Sequence, residues 1–222
     1  MRYTWVFNMR NKKPPIDILL WFIEQMRQHF RFAVTALRTD EGGELWESHQ
    51  FRVACGKVHT IVECTGGYAS SLNGKVEVRH KLTKRTTASC LFAAGQRANM
   101  WCYANVFSAW VLNVLPSKNL GWDSSYLQLM GKQPDLSKLR VYGSSILVLD
   151  RQPTCSSSDR VHKNKEGTFI AFNGTLAIIS YIDQRGAVRK AADAVIDELC
   201  STLPVEERTP ASKLIMKKKR RN

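Results

Sequence analysis

The chain has 222 residues, 44% hydrophobic and 23% charged, and 33 Lys+Arg against 19 Asp+Glu give it a formal charge of +14. That length holds one large or two modest domains with a real core, and that composition excludes a disordered chain. Its longest apolar stretches, such as 106–115, are too short to span a bilayer, and the start "MRYTWVFNMRNKK" lacks the apolar core of a secretory signal.

"RYTWVFNMR" (2–10) alternates aromatic and polar residues and predicts a strand, broken by "NKKPP". From Ile16 the apolar residues Ile16, Leu19, Leu20, Ile23, Met26 and Phe30 keep helical spacing, which predicts an amphipathic helix over 16–30. A buried strand over 32–38 follows and runs out at Asp40, with Gly42 and Gly43 behind it. A short helix near 47–55 and a strand at 58–64 ("VHTIVEC") come next. "TGGYASSLNG" reads as a loop, 75–94 as a proline-free helix and 99–114 as a second one. "LPSKNLGWDSS" ends that helix, and "SYLQLMG" makes a short third. Alternating strands and helices make this region an α/β unit.

Beyond "KQPDLSKL" the pattern changes. "RVYGSSILVLD", "EGTFIAFNG", "LAIISYID" and "AVRKAADAVID" are short strand-like runs separated by turn residues. They predict a small all-β barrel of about sixty residues. The boundary falls near 136–140, giving an α/β domain over 1–135, a β module over 138–200 and a basic tail over 201–222.

The positive charge is clustered. Residues 71–99 hold Lys75, Arg79, Lys81, Lys84, Arg85 and Arg97 against Glu77 alone, and the tail holds Lys213 and the run Lys217, Lys218, Lys219, Arg220, Arg221. Such patches fit a polyanion partner, with no membrane partner expected. The tail run is either a nuclear import signal or a merely solubilising charge run. The six cysteines show no CxxC pair and read as reduced thiols. Cys55, His59 and Cys64 lack the fourth ligand and the spacing of a zinc site.

Asp40 at a strand end has two readings, a turn residue or a metal ligand at the sheet edge where α/β folds place ligands. Glu77 follows 37 positions later, with Lys81 and Lys84 at i+4 and i+7 on the same helical face. Either that face is simply solvated, or the two carboxylates hold Mg²⁺ for phosphodiester chemistry while the lysines bind neighbouring phosphates.

Several motifs at ordered spacing resemble the integrase region of copia-type long-terminal-repeat retrotransposon Pol polyproteins. "RYTWVF" is similar to the family's S-R-Y-T-W-V-Y, and "LRTDEGGEL" to L-R-[ST]-D-N-G-G-E-[FY]. "LNGKVEVRHKL" resembles Q-N-G-V-A-E-R-x-N-R-T-L. "WCYANVFSAWVLNVLPSK" and "SYLQLMGKQPDLSKLRVYGS" match the two motifs that follow. The resemblance implies an α/β, ribonuclease-H-like integrase core, truncated at its start, followed by helices and a small SH3-like β barrel. It implies that Asp40 and Glu77 are the second and third members of an Asp, Asp, Glu triad that binds Mg²⁺. It also puts Lys81 where the family has a basic residue, consistent with DNA contact, while Lys75, Arg79, Lys84 and Arg85 are expected to bind nucleic acid on the strength of the charge cluster itself. Departures stand at Glu41, Leu72 and Val78, and the family's first catalytic Asp falls upstream of Met1. The resulting expectation is a nuclear, otherwise cytoplasmic, DNA-binding integrase relative with impaired catalysis and with self-association open. An active polynucleotidyl transferase and a non-functional product of a decayed element are the alternatives.

Overall fold

The structure, a computed structural model, describes residues 3–11, 13, 15–39, 45–65, 70–137, 139–149, 165–173 and 178–201. The chain divides into two compact units. One comprises Met1–Tyr3, Phe7–Thr83 and Asn113–Gln133, the other Thr4–Val6, Lys84–Leu112 and Pro134–Asn222.

The first unit opens with α1 (Ile16–Phe30), which covers the predicted span and ends on Arg31 in the left-handed region (φ 55°). Its buried face carries Ile23 and Met26. Strand β1 (Ala36–Thr39) pairs in parallel with β2 (Ile61–Cys64), in register Ala36↔Ile61 to Thr39↔Cys64. Between them runs α2 (His49–Lys57), started by Ser48, whose hydroxyl accepts from the Phe51 amide. Helix α2 packs on both β2 and α1, burying Phe51 and Cys55 to 1% exposure. Parallel sheets are usually covered on both faces. Here Ala36, Arg38, Ile61 and Glu63 are exposed on one face, where the Arg38 guanidinium donates to the Glu63 carboxylate at 2.9 Å.

The N-terminal segment departs from expectation. Residues 3–9 form no strand among the described residues. Alternation makes a segment competent for a ladder, but a strand exists only with a partner, and here aromatic packing takes over. The Phe7 ring meets those of Trp21 and Phe22 at 6.3 and 5.9 Å. Strand β1 also begins four residues later than its apolar run, because only Ala36–Thr39 find partners on β2.

Helix α3 (Ser70–Ala93) begins inside the segment expected to be a loop. Helix α4 (Trp101–Val114) follows a 3₁₀ turn at Ala98–Met100, and α5 (Ser125–Met130) is capped by Ser124 and closed by Gly131.

In the second unit five strands form one antiparallel sheet: β3 (Ser144–Val148), β4 (Lys165–Asn173), β5 (Ile178–Asp183), β6 (Val188–Ala191) and β7 (Ala194–Ser201). They lie in the order β6-β5-β4-β3-β7. Only Ala192 and Asp193 separate β6 and β7, which stand at opposite ends of that order. Four inter-strand steps of about 4.8 Å would set the ends of a flat sheet ~19 Å apart. Three Cα steps reach ~11 Å at most. The sheet is therefore coiled toward a barrel, as the strand spacing predicts. Its core joins Leu91, Ala94, Ala104 and Phe107 of the helical segments to Tyr142, Ile146, Phe169, Ile170, Ile179 and Tyr181. Phe107 touches Tyr142 and Phe169, and Phe169 touches Phe172, at ring separations of 5.3, 6.2 and 4.9 Å. The Tyr142 hydroxyl donates to Gln96 Oε1 at 2.7 Å. Burial pushes this phenol far above its ordinary range, with Cys90 and Cys102 adding to the rise.

Candidate nucleic-acid interface

Helix α3 carries the residues singled out between 70 and 94. Its inward stripe is Arg79, Thr83, Thr87, Leu91, a four-residue repeat that suits a single buried face. Two of these positions are buried threonines, whose hydroxyls are accommodated locally. Thr83 donates to the Arg79 carbonyl at 2.9 Å and Thr87 to Asn105 Oδ1 at 3.4 Å. Lys75, Glu77, Lys81, Lys84 and Arg85 are all exposed. Glu77, Lys81 and Lys84 therefore keep the predicted helical spacing.

Arg79 behaves differently from the other cations. It is partly buried, and its guanidinium donates to Asn113 Oδ1 at 2.8 Å. Asn113 is 1% exposed and belongs to the same unit. This side chain is occupied by the fold rather than offered wholly to a ligand. Val76 (69%), Val78 (60%) and Leu82 (42%) are exposed between the charges, so the surface is mixed, not purely basic.

Asp40 and the tail run Lys217, Lys218, Lys219, Arg220, Arg221 lie outside the described residues. Among the described residues, no three His, Cys, Asp or Glu side chains converge as a metal site. No helix among them is long and apolar enough to cross a membrane.

The β module adds a basic groove that sequence reading passed over. It measures about 850 Å³ and is lined by Lys165, Glu166, Tyr181, Arg185, Arg189 and Lys190, among others. Its lip is the β5–β6 turn, organised by Asp183. That carboxylate accepts from the amides of Ala187 (2.8 Å) and Arg185 (3.0 Å) and from Arg189 Nε (3.1 Å). The Ala187 amide is the main reason its pKa falls below the usual carboxylate value, with Arg189 and the Arg185 amide contributing. The available signal was "QRGAVRK" at 184–190, three cations around a glycine turn. A coiled sheet makes that hairpin one wall of a concave surface.

No family model matches the chain. It is 27% identical over 146 residues to the retrovirus-related Pol polyprotein from transposon RE1 of Arabidopsis thaliana, a match covering 64% of this chain and 10% of that protein. The corresponding polyprotein from transposon RE2 of the same plant is 25% identical over 142 residues, with the same coverage. The chain thus spans about a tenth of the length of these relatives. Among solved structures, that of the simian T-cell lymphotropic virus intasome in complex with PP2A regulatory subunit B56 gamma aligns with a TM-score of 0.42 at 14% identity. That alignment covers 87% of this chain and 67% of that one. On the sequence matches, this chain is similar to a stretch of the retrovirus-related Pol polyproteins of the transposons RE1 and RE2.

Proposed function

We propose that the chain is an integrase-like nucleic-acid-binding protein related to DNA integration. The observation that carries this reading is the exposure of Lys75, Lys81, Lys84 and Arg85 on α3, around Glu77. Supporting it are the basic groove of the β module and the similarity to Pol polyproteins. Lysines and arginines held on a rigid element neutralise phosphates and release counterions, which gives sequence-independent affinity. Asp40 and Glu77 are the residues that would hold Mg²⁺, an ion that would lower the pKa of an attacking hydroxyl. Weak or absent strand transfer by this chain is part of the same proposal. DNA is the partner. Self-association and nuclear import through Lys217–Arg221 belong to the same proposal.

The test is duplex-DNA binding by the 222-residue protein across a salt series. Each phosphate contact contributes about 0.9 to the slope of log affinity against log salt. A Lys81→Glu/Lys84→Glu/Arg85→Glu variant should flatten the slope by roughly 2 to 3, and deleting 213–222 should flatten it separately and shift a fluorescent fusion out of the nucleus. Unchanged slopes in both would refute the assignment. Strand transfer with Mg²⁺ or Mn²⁺ should be undetectable, and activity abolished by Asp40→Asn would establish an active enzyme instead.

A further inference from the structure

The segment between α4 and α5 contains a residue that turn chemistry disfavours. Leu120–Asp123 is a β-turn closed by the Asp123 amide on the Leu120 carbonyl (3.2 Å). Both central residues have positive φ, Gly121 at 66° and Trp122 at 70°, the pattern of a type I′ turn, which calls for Gly or Asn at the second central position. Here that position holds tryptophan. Nor does burial explain the choice, since Trp122 is 69% exposed.

The loop beneath it is tightly built. The Ser117 amide donates to the Asp123 carbonyl and the Trp122 amide to the Ser117 carbonyl, each at 3.0 Å, and Gly121 donates to Lys118 at 3.1 Å. Pro116 and Ser124 form a β-bridge at its base. An exposed indole therefore stands on a fixed platform in a backbone conformation that works against it. Backbone outliers of this kind are retained where the side chain has a task.

We propose that Trp122 is a stacking platform for an unpaired base of single-stranded nucleic acid, with Lys118 on the same loop taking the adjacent phosphate. The proposal rests on the nucleic-acid reading above and names a second class of strand for it. A stacked base needs one free aromatic face and a nearby cation. The loop supplies both, since Lys118 is exposed. A protein-binding hot spot would sit in a well-packed patch of an interface. Among the described residues of 113–133, Leu115 is the only other exposed large apolar side chain.

The test uses the full chain with a labelled oligothymidylate strand and a labelled duplex. Trp122→Gly should hold or raise the melting temperature, because glycine suits the turn, while single-strand affinity falls about 5- to 150-fold, the range of one base stack. Duplex affinity should fall less, and Trp122→Tyr should retain most single-strand binding. Trp122→Asn, which also tolerates positive φ, repeats the test without loosening the loop. A lower melting temperature in both the Gly and Asn variants would assign the indole to packing and overturn the proposal. So would unchanged single-strand affinity, including the case where self-association weakens instead. If the wild-type chain binds neither probe, the nucleic-acid reading fails with it. If it binds both and only the Trp122 variants are indifferent, the stacking site alone is wrong.

Discussion

Gly143 is a position where the packing of the second unit leaves little room. Its φ is +87°, and a Cβ built on it would lie 2.3 Å from the Ala94 Cβ and 3.0 Å from the Ala94 Cα. Its amide donates to the Phe169 carbonyl at 2.9 Å, which anchors this backbone against retreat, and the obstacle is partly backbone rather than a flexible side-chain tip. Gly143→Ala should therefore add about 1–2 kcal/mol of left-handed strain to roughly 1–3 kcal/mol of overpacking. A total near 3 kcal/mol corresponds to a melting-temperature loss of about 6–12 °C for a protein of this size. Thermal unfolding followed by circular dichroism reads the loss. Adding Ala94→Gly should return the part of the overlap that falls on the Ala94 Cβ and leave the strain, giving a coupling of more than about 1 kcal/mol between the two sites. A Gly143→Ala protein melting within about 2 °C of wild type would refute this account of the packing.

Other expectations follow from single contacts. Arg79→Ala should cost about 1.5–3 kcal/mol in urea unfolding, because it removes a charged donor from the buried Asn113. Lys84→Ala should leave stability within about 0.5 kcal/mol, and the reverse ranking would show that Arg79 is a surface ligand. Asp183 has a depressed pKa in the folded state, so its contribution is present above the unfolded value of about 3.9 and is lost as pH falls through the folded one. The melting-temperature gap between wild type and Asp183→Asn should thus be full at pH 7 and narrow below about pH 4; a gap that widens on acidification contradicts the turn geometry. Gly167→Ala should destabilise the barrel, since a Cβ there meets the Ile182 carbonyl oxygen at 2.4 Å; a fully folded variant with unchanged melting would count against the β4–β5 register.

Much of the fold was legible where periodicity and punctuation agreed. Helix α1 spans its predicted residues because its apolar spacing is uninterrupted and Pro15 precedes it. Helix α3 was read too short because Asn73 and Gly74 look like turn residues. A helical Gly costs only about 1 kcal/mol against Ala, and a long helix anchored downstream at Thr83, Thr87 and Leu91 carries it. The 2–10 strand failed for a non-local reason, since alternation says nothing about whether a partner strand is within reach. For the candidate site, spacing within one helix sufficed to relate Glu77, Lys81 and Lys84. Arg79's partner lies 34 positions away, and the groove draws on β3, β4, β5 and β6. The Arg79 pairing leaves no mark in local sequence, and of the groove only the 184–190 hairpin does.

The two-residue link between β6 and β7 also sets an order of events in time. Ile182 pairs with Val188 six positions on, whereas Val148 pairs with Ala194 across 46. Loop-closure entropy makes the longer pairing about 2 kcal/mol harder to initiate, so the β5–β6 hairpin can zip before β3 meets β7. The last strand would then act as a latch, and we expect its contacts to form late in folding. Substitutions such as Ile196→Val should accelerate unfolding while leaving the folding rate nearly unchanged, which stopped-flow traces would reveal as movement of one chevron arm only.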